Sequence, residues 1–142
     1  MSSDQRWDAV AGTNVGTLAT IKRDGRPQLS DVNYTIDPET HVIRISTRTS
    51  LAKVANLRRD PRVSFKVTGP GGAGYVVVEG TAELSPPSAE EHDATVEELV
   101  EVYRLVAGKE HPDWDDYRRA MVADGRLVLR IHPERLYGWI MS

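Results

Sequence analysis

The chain has 142 residues, a net charge of −3, 39% hydrophobic residues and no cysteine, a profile that predicts one soluble domain over residues 1–142. The lack of cysteine excludes disulfides and thiolate chemistry, and the lack of a long apolar run or a secretory signal predicts a cytoplasmic protein that does not span a membrane. The acidic balance, without a basic stripe interleaved with aromatics, disfavours nucleic acid, so a small anionic ligand is expected.

The N-terminal half begins with a predicted β-hairpin. Its strands cover about 16–22 and 26–36, and Asp24-Gly25 supplies the positive φ that a tight turn needs. A turn over 37–40 then leads to a third strand around Ile43 and Ile45, where β-branched residues cluster.

Alternation along the second strand predicts one face with a polar end and an apolar end. The polar end carries Arg26, Gln28 and Ser30, close to the hairpin turn. Two interpretations are open for these residues: simple exposure to solvent, or the lining of a ligand groove.

The segment from Ser46 to Val63 concentrates hydroxyl and basic residues around a short predicted helix. Ser50 is the expected N-cap, which puts Lys53 in the first turn, where the helix dipole disfavours a cation. A phosphate at this helix terminus would reverse that penalty, because Lys53, the backbone N–H groups and the hydroxyls of Thr47, Thr49 and Ser50 would converge on it. The other interpretation is a lysine directed into water and hydroxyls that only cap the helix.

Two further strands, over 62–68 and 75–84, flank a glycine-rich loop from Gly69 to Gly74. This loop matches G-x-G-x-x-G, the fingerprint of dinucleotide binding. A dinucleotide site needs a helix after the loop, and a strand follows here, so the sequence predicts a plain hairpin connection.

The C-terminal part predicts two helices and a final β segment. An amphipathic helix begins near Pro86 and ends at Gly108, and a second helix covers about 113–123 with Gly125 as its stop. The last residues predict two short strands broken at Pro133. Since hairpins link the strands, the expected architecture is an antiparallel barrel with helices packed on it.

The sequence carries no local motif for catalysis. The histidines lie far apart and none has the spacing of a zinc site, so no metal site is predicted. Nucleophile motifs are also missing. The catalytic residues are therefore unknown at this point.

The pattern "GTLATIKRDGRPQLSDVNY", followed by "IRISTRTSLAKVANLRRDPRVSF" and "VVVEGTAEL", resembles the split β-barrel flavin and deazaflavin oxidoreductases related to pyridoxamine 5'-phosphate oxidase. With "HPDWDDYRRAMV", the chain is similar to the actinobacterial and mycobacterial members that use the deazaflavin coenzyme F-420. The resemblance implies a mainly β, homodimeric protein of antiparallel Greek-key split β-barrels, with six to seven strands, flanking helices and cofactor sites at the subunit interface.

For the site, the resemblance implies that Lys53 holds the cofactor phosphate, with Ser46 and Thr47 as further donors and Arg48 in support. Arg26, Gln28 and Ser30 match the polar contacts of the second strand by position. Tyr75 and Trp139 match positions that reach the cofactor of the partner subunit. The arginine-rich C-terminal motif of pyridoxamine phosphate oxidases is absent from "HPERLYGWIMS", which disfavours vitamin B6 oxidation.

The function that the resemblance implies is a reductase that transfers a hydride from reduced F-420 to an electron-poor small molecule. Three alternatives remain open: an FMN-dependent oxidoreductase of the same fold, a non-catalytic protein that binds F-420 or a tetrapyrrole, and a purely structural dimer.

Overall fold

The computed structural model of the protein describes residues 3–141. Its helices are α1 (Ser3–Ala11), α2 (Ala52–Arg59), α3 (Ala94–Ala107) and α4 (Trp114–Asp124). Its strands are β1 (Val15–Ile21), β2 (Pro27–Asn33), β3 (Thr35–Ile36), β4 (Ile43–Arg48), β5 (Arg62–Thr68), β6 (Gly74–Leu84) and β7 (Arg126–Ile140). The expected mainly β architecture with flanking helices is confirmed.

The strands form one antiparallel sheet in the order β2-β1-β5-β6-β7-β4-β3. The two edge strands, β2 and β3, are separated in the chain by Tyr34 alone. The sheet must therefore curl until its edges almost meet, which agrees with a split barrel. The sequence predicted one continuous strand over 26–36, and that prediction was wrong because the chain leaves one edge at Asn33 and joins the other at Thr35.

The interior of the curled sheet holds the main hydrophobic core. Tyr34 and Phe65 lie at its centre, with their rings edge to face at 4.8 Å. A Cβ on Gly16 would come within 2.3 Å of Phe65 Cζ, so only glycine leaves room for this ring. A second cluster, which includes Leu99, Tyr117 and Met121, packs α3 and α4 against β7.

Glycine signals in the sequence located several chain reversals correctly. Gly25 has a φ of 87° in the β1–β2 turn, and Gly108 and Gly125 end α3 and α4 in the left-handed conformation. The loop from Gly69 to Gly74 connects β5 to β6 as a hairpin, closed by a 3.0 Å bond from Gly69 N to Gly74 O.

Three predicted boundaries were wrong. The N-cap of α2 is Leu51 rather than Ser50, because the chain first turns through a bond from Leu51 N to Arg48 O at 3.2 Å. α3 begins after Asp93 instead of near Pro86, since the Asp93 carboxylate accepts a bond from Val96 N at 2.8 Å. β7 is not broken at Pro133; it continues through a bulge that leaves Glu134 as the extra residue opposite Glu79 and Gly80 of β6.

Helix α1 was not predicted from the sequence, and it packs on the sheet. Trp7 stacks on His41 with ring centroids 4.0 Å apart, and Val10 is fully buried. Within residues 3–141, no helix is long and apolar enough to cross a membrane.

Candidate functional site

A cavity of about 430 Å³ lies where the ends of β2 and β4 face α3 and α4. Its polar end is formed by the end of β4 and the start of α2 and β7. The side chains at this end are Ser46, Thr47, Arg48, Lys53 and Arg126. The opposite wall is mostly apolar, and α3 and α4 provide it.

Two arginines face each other at the polar end. Arg48 and Arg126 are direct partners in the β4–β7 pairing, an arrangement of like charges that is unfavourable in a sheet. Asp124 offsets part of this repulsion, with its Oδ2 atom 3.6 Å from Arg48 Nη2 and 3.7 Å from Arg126 Nε. This carboxylate is shared by two guanidinium groups, and a second carboxylate, Asp31 of β2, also lines the cavity.

Lys53 adds a third positive charge next to this pair. Burial, followed by repulsion from Arg126, lowers the pKa of the Lys53 ammonium. Among residues 3–141, no carboxylate forms an ion pair with Lys53 and no acceptor receives a hydrogen bond from it. A half-buried ammonium without a partner is destabilising for the folded protein, and an anion in the cavity would relieve that cost.

Two buried polar atoms at the same end also lack hydrogen-bond partners: Thr47 Oγ1 and Arg126 Nε. Thr47 is only 3% exposed. Another nitrogen of the same arginine, Arg126 Nη1, donates to Ser46 Oγ at 3.3 Å. Buried polar groups are nearly always bonded, so this cluster of unsatisfied donors fits an acidic group such as a phosphate.

The apolar wall consists of Val102, Tyr103, Val106, Tyr117 and Met121. Tyr117 donates its hydroxyl to Leu99 O at 2.9 Å, and burial raises its pKa to about 12. The Tyr117 hydroxyl is therefore occupied and not acidic enough to act as a proton donor near neutral pH. The wall offers shape and apolar contact rather than acid-base chemistry.

The structure brings together four of the predicted site residues, Ser46, Thr47, Arg48 and Lys53. The Thr49 hydroxyl instead donates to Gly125 O, and Ser50 is exposed. These two residues hold or border the β4–α2 turn and do not line the cavity.

The predicted residues of the second strand lie away from the cavity. Arg26 is exposed beside Asp24, at 3.9 Å from its carboxylate. Gln28 and Ser30 do share the inward face with Val32, as the alternation predicted. Gln28 is occupied, because its Oε1 atom accepts a 2.8 Å hydrogen bond from Asn56 Nδ2.

Tyr75 lies on the outer surface of the sheet. It is 43% exposed and pairs across the β6–β7 ladder with Trp139, which is 55% exposed. Within one chain, neither residue lines the cavity.

Arg126 is the site residue that sequence reasoning missed. It follows Gly125, the predicted end of α4, and so opens the last β segment. Only the β4–β7 register places it opposite Arg48. A basic residue at the start of a strand after a helix stop was the available signal, but its partner strand could not be read from the sequence.

A profile of the pyridoxamine 5'-phosphate oxidase family matches residues 3–140, so the chain belongs to this family. Solved structures with the same fold include the conserved hypothetical protein Rv2991 from Mycobacterium tuberculosis, which is 29% identical, with a TM-score of 0.75 over 99% of this chain and 85% of that chain. An F420 reductase is 22% identical, with a TM-score of 0.67 over 92% of this chain and 94% of its own. An FAD-binding protein from Mesorhizobium loti is 21% identical, with a TM-score of 0.68 over 97% and 92% of the two chains.

The wider resemblance that the sequence indicated, to the split-barrel superfamily, is thus confirmed. Within the described residues, no group of three or more histidines and carboxylates is placed to hold a metal ion.

Proposed function

We propose that the protein is an oxidoreductase that binds coenzyme F-420 and reduces an electron-poor small molecule, with FMN as the alternative cofactor. The observation that carries this proposal is a cluster of donors without hydrogen-bond partners at the polar end of the cavity: Lys53, Thr47 Oγ1 and Arg126 Nε. Both cofactors carry a phosphate on a chain that leads to a planar ring.

The residues of the polar end have separate tasks in this proposal. Lys53 and Arg126 would bond the phosphate oxygens, and the Thr47 hydroxyl would donate from the floor of the cavity. Arg48 would add charge from the edge, where it is half-exposed. When bound, the deazaflavin or flavin ring supplies the hydride chemistry, and the protein orients it and shields it from water.

A fluorescence titration of F-420 with the protein tests the proposal. We expect saturable binding at micromolar protein, and weaker binding by the variant Lys53→Met. Arg58→Met is the matched control, because Arg58 is an exposed cation on the same helix that does not line the cavity. The absence of any response to F-420 would contradict the proposal for this cofactor.

The same preparation distinguishes the alternatives. A purified protein that is yellow and retains FMN would favour the FMN-dependent enzyme. Binding of F-420 without turnover of enones, quinones or biliverdin would favour a cofactor or tetrapyrrole carrier. Failure to bind any of these ligands would favour a structural role.

We also propose that two copies of the chain associate through the outer face of the sheet. Tyr75, Tyr137 and Trp139 are all exposed on this face of β6 and β7, close together in the ladder. A row of exposed aromatic side chains on a protein surface is typical of an interface. Sedimentation of the wild-type chain should give a dimer, and Trp139→Arg should shift it toward monomer; a wild-type monomer would contradict this proposal.

A further inference from the structure

The tripeptide Asp-Gly-Arg occurs twice in the chain, at residues 24–26 and at residues 124–126. An aspartate followed by glycine closes readily to a cyclic imide, because glycine has no side chain to hinder the attack of its backbone nitrogen on the carboxyl group before it. The two copies share the three residues that react or flank the reaction. A difference in their chemistry must therefore come from the fold around them.

The first copy lies in the exposed turn between β1 and β2. The Asp24 side chain is 56% exposed and that of Arg26 is 81% exposed. Gly25 has open space around it, since a Cβ added there would meet no atom within 4 Å. Two hydrogen bonds hold the reacting groups: Gly25 N donates to Lys22 O at 2.9 Å, and Asp24 Oδ1 accepts from Arg26 N at 3.0 Å. Because β2 is an edge strand, a local opening of this turn breaks few other contacts.

The second copy is held from several sides at the end of α4. The backbone nitrogen of Gly125 is bonded to both Met121 O and Val122 O. Its carbonyl oxygen accepts from Thr49 N at 3.1 Å and also from the Thr49 hydroxyl. Two guanidinium groups lie against the Asp124 carboxylate, at 3.6 and 3.7 Å. Ring closure here requires the end of α4, the turn after β4 and both ion pairs to open together.

We propose that Asp24 is a site of spontaneous isoaspartate formation in the folded protein, and that the contacts around Asp124 and Gly125 protect the second copy. In the first step, Gly25 N bonds to Cγ of the Asp24 carboxyl group. The nitrogen loses its proton and the carboxyl group loses a hydroxyl, so one water leaves and a cyclic imide remains.

The second step takes up one water and opens the imide. Cleavage of the bond between Gly25 N and the main-chain carbonyl carbon of Asp24 leaves the chain running through Cβ and Cγ, with a free carboxylate on Cα. The sum of the two steps is an isomerisation that consumes no oxidant or other reactant. It lengthens the β1–β2 turn by one CH₂ group, whereas Asp124, beside the polar end of the cavity, keeps its normal linkage.

Incubation of the full chain in water enriched in heavy oxygen tests the proposal. The protein is kept folded at neutral pH and physiological temperature for several weeks and is then digested for mass spectrometry. Each imide that forms and reopens takes up one heavy oxygen, and electron-transfer fragmentation distinguishes isoaspartate from aspartate. We expect the peptide with Asp24 to accumulate isoaspartate at least about tenfold faster than the peptide with Asp124, because the second copy must break more hydrogen bonds to react.

Two controls assign the difference to the fold. In concentrated urea the two copies should react at similar rates, because only their shared local sequence remains. Asp24→Glu should abolish the reaction at the first copy and leave the second unchanged, since the longer side chain closes a six-membered ring far more slowly.

Three results would overturn the proposal. The first is equal rates at the two copies, or a faster rate at Asp124, in the folded protein. The second is no isoaspartate at Asp24 over a period in which the unfolded sample reacts. The third is a difference that persists unchanged in urea, which would assign it to the neighbouring sequence instead of the fold.

Discussion

Two groups of polar side chains centre on residues of the same short helix, α2, and they differ in their hydrogen bonding. The Asn56 side chain is fully hydrogen-bonded: its Nδ2 atom donates to Thr20 Oγ1 at 3.0 Å and to Gln28 Oε1 at 2.8 Å, and its Oδ1 atom accepts from Arg59 at 3.1 Å. Around Lys53, one turn earlier, Thr47 Oγ1 and Arg126 Nε are buried without a hydrogen-bond partner.

This difference separates a structural network from the proposed binding site. The Asn56 group joins α2 to β1 and β2, so its hydrogen bonds stabilise the fold. The Lys53 group keeps its donors free in a cavity, at a cost in stability that only a ligand removes. Proteins often accept such local instability at sites that must bind something else.

Replacement of Asn56 should have the largest effect on stability. In Asn56→Ala, one buried and one part-buried acceptor lose their donor, and at about 1–3 kcal/mol apiece we expect the free energy of unfolding to fall by about 3 kcal/mol. Urea denaturation measures this, with Arg58→Ala as the exposed control on the same helix. If Asn56→Ala also lowered anion affinity as much as Lys53→Met does, the Asn56 and Lys53 groups would not have separate roles.

Replacement of Lys53 should lower the affinity for an anion without lowering stability. We expect Lys53→Met to weaken binding of an anionic ligand by about 1.5–3 kcal/mol, the range for a hydrogen bond to a charged group. The free energy of unfolding without ligand should stay equal or rise, because an unpaired, half-buried charge is gone. Destabilisation of the ligand-free variant would mean that Lys53 has a structural partner after all.

Two buried threonines give a matched and smaller test. Thr20→Val removes an acceptor that Asn56 uses and should lower the free energy of unfolding by about 1 kcal/mol. Thr47→Val removes a hydroxyl with no partner, so stability should hold while anion affinity falls by about 1 kcal/mol. Equal losses of stability in the two variants would contradict the distinction.

The smallest expected effect is a dependence on pH. The pKa of Lys53 in the folded protein lies below the usual 10.5, so the charged ammonium is unfavourable in the fold. The contribution of Lys53 to stability is therefore most favourable above pH 10.5, where the amine is neutral, and it is lost as the pH falls through the folded pKa. Anion binding has the opposite sign, because it needs the ammonium. As the pH is raised, the affinity of the wild type should therefore start to fall at a pH lower than 10.5. This loss should be absent in Lys53→Met.

Local signals in the sequence predicted local structure well. Gly25, Gly108 and Gly125 marked chain reversals because each needs a backbone conformation that other residues rarely adopt. Alternation placed Gln28 and Ser30 on the inward face of β2. α1 went unpredicted because its few apolar side chains, such as Trp7 and Val10, give only a weak pattern until the sheet is there to cover them.

The cavity could be predicted only in part. Ser46, Thr47, Arg48 and Lys53 are close in sequence, so one segment was enough to indicate an anion site. Arg126 and the wall on α3 and α4 join them through contacts between distant parts of the chain. The register of β4 against β7 decides those contacts, and no local pattern specifies it.

The almost complete closure of the sheet also bears on how the protein avoids aggregation. β2 and β3 are its two edges, and an exposed edge strand can pair with another chain. β3 has only two residues, whereas β2 pairs on one side only, with β1. The pairing of β3 with β4 ends at Arg44, and the described structure pairs residues 46–48 only with β7. The open edges of β2 and of residues 46–48 thus flank the cavity, where the facing helices α3 and α4 restrict the approach of another strand.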